Sequence, residues 1–325
     1  MSVETKIPLQ QRLFADFMLL VICAIWGSTF FMVDQAVETM NVLVFIAYRF
    51  SVALVVLLLI FGYRLLTIKI HWKDVLRGTL IGFFLFAGYT FQTFGMDLGT
   101  GPGKASFITG LYVVLVPIFA SLMLKKRPHF LSWVVIVIAV VGLGLLSLDN
   151  LAEFQFSAIL GDLLVVICTF AYAFHIIFID KYVEKSHYIE LTVIQTAAVA
   201  ILAWTTCGIM GFFPSIFNVP VFPIVISNKV IFAIIFTGIL ATALILGLQT
   251  FAQKKTSPTH VAVIFSTEPV FGALFAIIFA GEYLLPRQWV GCALILVSMI
   301  FQQLIDIYFK PKQIASPIES EEIVL

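Results

Sequence analysis

The sequence predicts an all-α membrane protein with ten transmembrane helices arranged as two inverted five-helix repeats, and three observations carry that prediction. Of its 325 residues 61% are hydrophobic and 11% charged, with a mean hydropathy of +1.09, where a soluble domain carries roughly 25% charged residues. The apolar residues fall into ten runs, each near the ~20 residues that a helix needs to cross hydrocarbon. Short motifs of the first half recur in the second, in the same order. A soluble fold has too little interior to hide so much apolar surface, and ten spans leave no length for a large soluble catalytic domain. The net charge of +1 gives no sign of a nucleic-acid partner.

The spans are placed at 14–35, 42–62, 75–96, 103–124, 130–148, 158–180, 189–211, 228–251, 258–280 and 286–308. The first follows Lys6 and Arg12, but it is too long for a signal peptide and lacks a small-x-small cleavage site, so it reads as retained. The second contains Val52–Ile60, apolar on every side, which excludes the alternation of a β-barrel. The third carries Gly78 and Gly82, at the spacing that lets membrane helices touch. Gly99–Gly103, before the fourth, reads as a turn, because it lacks the Gly-Lys-Ser/Thr ending of a phosphate-binding loop. Between the seventh and eighth, Phe212–Ser227 holds three prolines and no charge, as an interfacial loop or lid would. The ninth carries Gly272, Ala276 and Ala280 at intervals of four.

Orientation follows from the basic residues, which short loops keep on the cytoplasmic side. Lys6, Arg12, Arg64, Lys69, Lys73, Arg77, Lys125, Lys126, Arg127, Lys181, Lys185, Lys254, Lys255, Lys310 and Lys312 fall on one side of a ten-span arrangement, against Lys104, Lys229 and Arg287 on the other and Arg49 within a span. Both termini, including a tail at 309–325, are therefore expected in the cytoplasm, with the chain as a multi-pass protein of the inner (cytoplasmic) membrane.

Asp16, Val21-Ile22-Cys23 and Trp26-Gly27 reappear as Asp162, Val166-Ile167-Cys168 and Tyr172-Ala173. Gln92-Thr93-Phe94 recurs as Gln249-Thr250-Phe251, and the following helices open at Lys104 and His260. These matches divide the chain into repeats at 14–150 and 157–308. Five is odd, so the second repeat enters the membrane from the opposite side and the halves are related by an axis in the membrane plane. Inverted repeats of this kind let secondary transporters exchange inward-open and outward-open states. A channel or lipid flippase is the alternative. An intramembrane enzyme is weaker still, since no His-Glu-x-x-His, paired aspartates or Ser/His/Asp grouping appears, and no catalytic residue, metal ligand or cofactor is assigned.

Trp26-Gly27-Ser28-Thr29-Phe30, Arg49, Gln92-Thr93-Phe94-Gly95, Gly103-Lys104-Ala105, and Thr267-Glu268-Pro269-Val270-Phe271 followed by Gly281-Glu282 resemble the EamA-type transporters of the drug/metabolite transporter superfamily over nearly the whole chain. Lys125-Lys126-Arg127 departs from the pattern, standing where many members carry Gly-Glu. The resemblance implies ten helices, cytoplasmic termini, and carriage of small metabolites, often amino acids or related amphipathic or zwitterionic solutes and often outward. It also implies a site between helices 1, 3 and 4 and their counterparts 6, 8 and 9.

Ionisable groups at bilayer depth are costly and are candidates for function. Glu268, near the middle of the ninth span and before Pro269, could bind a substrate ammonium group, carry a coupling proton, or brace a broken helix. Arg49 could contact an anionic group, but is read in preference as a packing residue that snorkels outward or pairs with Asp34, and Asp16, Asp162 and Glu282 are read as interfacial or capping residues. Candidate substrate-binding residues are Trp26, Tyr89, Gln92, Phe107, Tyr112, Tyr172, His175, Gln249 and Glu268, with Thr242 beside Gln249 on the eighth helix. Aromatic walls with a few amides suit a zwitterion better than a polyanion. The expected partners are thus a small-molecule substrate, the lipid bilayer and a proton or other coupling ion, in a monomer or homodimer. Cys23, Cys168, Cys207 and Cys292 sit inside spans at unrelated depths and read as buried thiols.

Overall fold

The structure is a computed structural model that describes residues 9–67, 69–147, 156–212, 227–275, 277–278, 283, 285–309 and 312–313. Among the described residues it is a bundle of ten helical rods. Helix 1 is Leu9–Val37, helix 2 Val42–Thr67, helix 3 Trp72–Asp97, helix 5 Phe130–Ser147, helix 6 Phe156–Tyr182, helix 7 Tyr188–Phe212 and helix 10 Pro286–Tyr308. Helix 4 is broken into Pro102–Gly110 and Tyr112–Met123, and helix 9 into Pro258–Phe265 and Glu268–Phe275. Helix 8, Asn228–Gln253, contains a wider π turn at Ile239–Leu244. Helices 1, 2, 3, 6, 7 and 8 are each long and apolar enough to cross a membrane alone. The described strand content is one antiparallel pairing of Lys126–Arg127 with Lys312–Gln313.

Helix packing shows the inverted repeat directly. Helix 3 packs on helices 6 and 7, and helix 8 on helices 1 and 2; helix 1 meets helix 9, and helix 6 meets helix 4. Pairs 2–7, 4–9 and 5–10 also pack together. Exchanging each helix of the first five for its counterpart in the second maps this set of neighbours onto itself, as a pseudo-twofold axis requires. Glycines at equivalent places make the close approaches. A Cβ on Gly82 would lie 2.7 Å from the Gln195 carbonyl oxygen, and one on Gly238 would lie 2.9 Å from that of Arg49. Gly142 approaches the Gly291 carbonyl across the 5–10 pair in the same way, at 2.9 Å.

The two broken helices are also equivalent. Each opens on a proline, Pro102 or Pro258, and breaks before a residue equally far from it, Tyr112 or Glu268. In helix 9, Pro269 has no N–H to offer the preceding turn. The hydroxyls of Ser266 and Thr267 donate to the carbonyls of Val263 and Ile264, at 2.6 and 2.7 Å, which closes off the first half. Gly27 lets helix 1 lie against this break, where its Cβ would be 2.7 Å from the Glu268 carbonyl oxygen. Gly99, in the turn before helix 4, takes φ +99, a left-handed conformation that glycine adopts freely.

Several expectations are modified. The fourth and ninth spans are not continuous rods. Arg49 neither snorkels nor pairs with Asp34, because it is 3% exposed and turned into the bundle. Asp16 and Asp162 are not simple caps: Asp16 lies 2.9 Å from His260 Nε2 on helix 9, and Asp162 accepts from the Thr100 hydroxyl at 3.0 Å. The four cysteines are buried thiols. Ala276, Ala280, Gly281 and Glu282, the loop at 213–226 and the tail beyond 313 lie outside the described residues.

Candidate functional site

Helices 1, 2, 3, 4, 6, 8 and 9 surround a cavity that includes about 620 Å³ of atom-free space, its opening counted in. Of the expected residues, Trp26, Tyr89, Gln92, Tyr112, Tyr172, His175, Gln249 and Glu268 line this one space. The Phe107 side chain lies outside the described residues. Tyr112 and Glu268, which begin the second pieces of helices 4 and 9, both line this space.

The walls are aromatic and held by one another. Trp26 stacks edge-on against Phe265, with centroids 5.2 Å apart, and Tyr89 against Tyr172 at 5.7 Å. The Tyr172 hydroxyl donates to Gln92 Oε1 at 3.4 Å, and Gln92 Nε2 donates to the Thr109 hydroxyl at 3.0 Å, which fixes the orientation of this amide.

A second, buried network underlies the cavity on the side of the chain termini. His175 Nε2 lies 3.0 Å from Gln195 Oε1, and Gln195 Nε2 donates to Thr250 at 3.2 Å. Gln249 donates to Gln253 at 3.1 Å, and Gln253 donates to the Ile176 carbonyl at 3.0 Å. The lining reaches Phe30, Val33 and Met96 near the far ends of helices 1 and 3. The lining therefore runs from His175 and Gln249, within this amide network, to the opposite ends of helices 1 and 3.

Two ionisable side chains of opposite type, Arg49 and Glu268, line the cavity. Glu268 is half-buried at the start of the second piece of helix 9, and its carboxylate makes no hydrogen bond or ion pair among the described residues. Arg49 donates from Nε to the Thr242 hydroxyl at 2.8 Å and from Nη2 to the Tyr89 hydroxyl at 3.2 Å and the Ala241 carbonyl at 3.3 Å. Its guanidinium also lies over the Tyr89 ring, 4.5 Å from the centroid. The Ala241 carbonyl, within the π turn of helix 8, further accepts from Trp26 Nε1 at 3.0 Å. Among the described residues no group of His, Cys, Asp and Glu could hold a metal.

Sequence reading missed Arg49 as a lining residue, together with Thr29, Phe30, Val33, Thr93, Met96, Thr109, Ile176 and Phe265. Some were within reach of helical periodicity. Thr29 and Val33 continue the face of Trp26, and Thr93 and Met96 continue that of Tyr89 and Gln92. Arg49 gave no such signal, since its partners on helix 8 are far away in sequence.

Known proteins agree with this architecture. The chain is 33% identical over 295 residues to an uncharacterized transporter of Archaeoglobus fulgidus, covering 90% of this chain and 87% of that one. It is 24% identical over 327 residues to the uncharacterized inner membrane transporter YedA of Escherichia coli, with 98% of both chains covered. A crystal structure with 17% identity superposes with a TM-score of 0.70 over 90% of this chain and 98% of the other, which is a likeness of fold. The EamA-like transporter family matches residues 13–148 and 159–302, each holding five of the helices described above. A multi-pass helical bundle with this repeat and these relatives is a membrane protein that belongs to the EamA-like transporter family.

Proposed function

We propose that the chain is a secondary carrier that exports a small zwitterionic or amphipathic solute, an amino acid or a close relative, across the cytoplasmic membrane by alternating access. The observation that carries this reading is Glu268, a carboxyl group at a helix break that has no partner among the described residues and faces a cavity walled by Trp26, Tyr89, Tyr112 and Tyr172. A carboxylate among aromatic faces suits an ammonium group, which is drawn to both. The repeats at 14–150 and 157–308 would rock about this cavity, with both termini and the tail at 309–325 in the cytoplasm and the amide network of His175, Gln195, Gln249 and Gln253 as the inner seal. Glu268 binds the ammonium end directly or exchanges it for a coupling proton.

Metabolite profiling of cells with and without the protein identifies the solute, and reconstituted vesicles test the mechanism. A carrier gives saturable flux and counterflow, and Glu268→Gln lowers both or removes their pH dependence. Flux that rises linearly with concentration and shows no counterflow would overturn the carrier reading. Unchanged transport and pH dependence in Glu268→Gln would remove the carboxylate from it.

A further inference from the structure

We propose that Arg49 is the carboxylate subsite of this cavity, so that the solute is a zwitterion that spans from Arg49 to Glu268. The inference rests on the carrier reading above and deepens it. Arg49 is 3% exposed and lines the cavity, yet among the described residues all its contacts are neutral: the hydroxyls of Thr242 and Tyr89, the Ala241 carbonyl and the rings of Tyr89 and Phe50. Its Nη1 has no partner among the described residues. A guanidinium withdrawn from water loses a large solvation energy that neutral acceptors restore only in part. The acid on the same cavity, Glu268, makes no ion pair with it. Among the described residues the site therefore holds one basic and one acidic side chain, neither paired with an opposite charge.

Equivalence between the repeats separates this role from a packing role. Gln195 on helix 7 stands against Gly82 as Arg49 on helix 2 stands against Gly238. Gln195 braces its surroundings with a neutral amide, bonded to His175 and Thr250, and does not line the cavity. Bracing at this position is thus achieved without a charge, and the charge of Arg49 is left to be explained by what enters the cavity. The planar guanidinium fork matches a carboxylate through two parallel hydrogen bonds. Nη1 is open, and the Nη2 contact with Ala241, at 3.3 Å, is long for a hydrogen bond. A carboxylate bonding Nη1 and Nη2 draws the fork away from Ala241 and leaves that carbonyl to Trp26. The π turn of helix 8 is where binding is then felt.

The test uses the full chain in lipid nanodiscs, screened by thermal shift against the standard L-amino acids. Each binder is compared with its carboxamide, which keeps the size and the ammonium group but loses the anionic charge. Wild type is expected to bind the carboxamide about 10- to 100-fold more weakly. Arg49→Gln is expected to bind amino acid and carboxamide alike, with carboxamide affinity within about 3-fold of wild type. Equal affinity of wild type for the two ligands overturns the subsite and leaves the carrier reading standing, and so does a folded Arg49→Gln that keeps the preference. If no amino acid binds wild type, the subsite falls, and the carrier reading is decided separately by saturable flux and counterflow. The wild-type comparison decides the matter without any variant, should Arg49→Gln not fold. Arg49→Lys, which keeps the charge but not the fork, is expected to retain part of the preference.

Discussion

Gly27→Ala is the sharpest test of how the site is assembled, because a single methyl group is set against backbone. The added Cβ would lie 2.7 Å from the Glu268 carbonyl oxygen, 2.7 Å from the Gly272 nitrogen and 3.0 Å from Phe271 Cβ, where ordinary contact begins at 3.4 Å. Helix 1 must therefore move away from the break in helix 9 by about 0.7 Å, and no rotamer change relieves the clash, since two of the three atoms are main chain. Overpacking of this kind costs about 1–3 kcal/mol. Trp26 and Glu268 sit on the two sides of this contact, so the shift also displaces a cavity wall from its carboxylate. The assay is thermal unfolding of the detergent-solubilised protein beside counterflow in vesicles, with Gly62→Ala and Gly247→Ala as controls because nothing lies within 4 Å of a Cβ at either position. The controls are expected to stay within about 0.5 kcal/mol of wild type. Wild-type stability and transport in Gly27→Ala, or equal losses in the controls, would refute the close-approach argument.

Three other outcomes follow from the same geometry. Thr242→Val keeps the side-chain shape but removes the acceptor that lies 2.8 Å from Arg49 Nε; leaving a buried guanidinium donor unpaired is expected to cost about 1–3 kcal/mol in thermal unfolding, and Thr242→Ser is expected to restore it. Since the native thiols at 23, 168, 207 and 292 are buried, single cysteines report topology cleanly: an impermeant maleimide added to intact cells is expected to label Leu98→Cys, at an exposed position, and not Lys185→Cys, and the reverse pattern would invert the proposed orientation. His187, in the short connection between helices 6 and 7, is held below the usual histidine range by partial burial and by the cations Arg64 and Lys254. The folded state thus takes up its proton later than the unfolded state, so this contribution to stability is present above the ordinary value of 6.5 and is lost as pH falls through it. Melting of the wild type is expected to fall more steeply between about pH 7 and 5 than that of His187→Gln, and parallel curves would count against it.

The ten helices were legible because each is a predominantly apolar run with charge, glycine or proline at its ends, which reports on the bilayer and not on any partner. The break in helix 9 was signalled by Pro269. The break in helix 4 had only Gly110 as a local signal, and membrane helices also use glycine for close packing without breaking. The π turn at Ile239–Leu244 has no local signature either. Its carbonyl at Ala241 is satisfied by Trp26 and Arg49, from helices 1 and 2, so its cause is tertiary. Arg49 was read against Asp34 because Asp34 is near in sequence, whereas its real partners are 193 and 192 residues away on helix 8 and 40 away on helix 3. Asp16 and Asp162 lie near helix ends as read, but each is committed to a residue of another helix or turn.

The two halves are alike in backbone and unlike in charge, and the difference bears on mechanism. Equivalent prolines, glycines and helix breaks give both repeats the same packing options, which is what an exchange of conformations between them requires. The charged positions do not follow the symmetry. Arg49 belongs to the first repeat and has neutral Gln195 as its counterpart, while Glu268 belongs to the second and has neutral Tyr112. A symmetric pair of charges would give a solute two equivalent ways to bind. One charge from each half gives a single polar axis, and that axis crosses the interface between the repeats. A zwitterion held at both ends would touch both moving bodies at once, so its binding energy would depend on how the halves are set against each other. A solute that held only Glu268 would ride on one repeat and have little differential affinity for the two states, and a ligand without such a difference cannot shift the equilibrium between them.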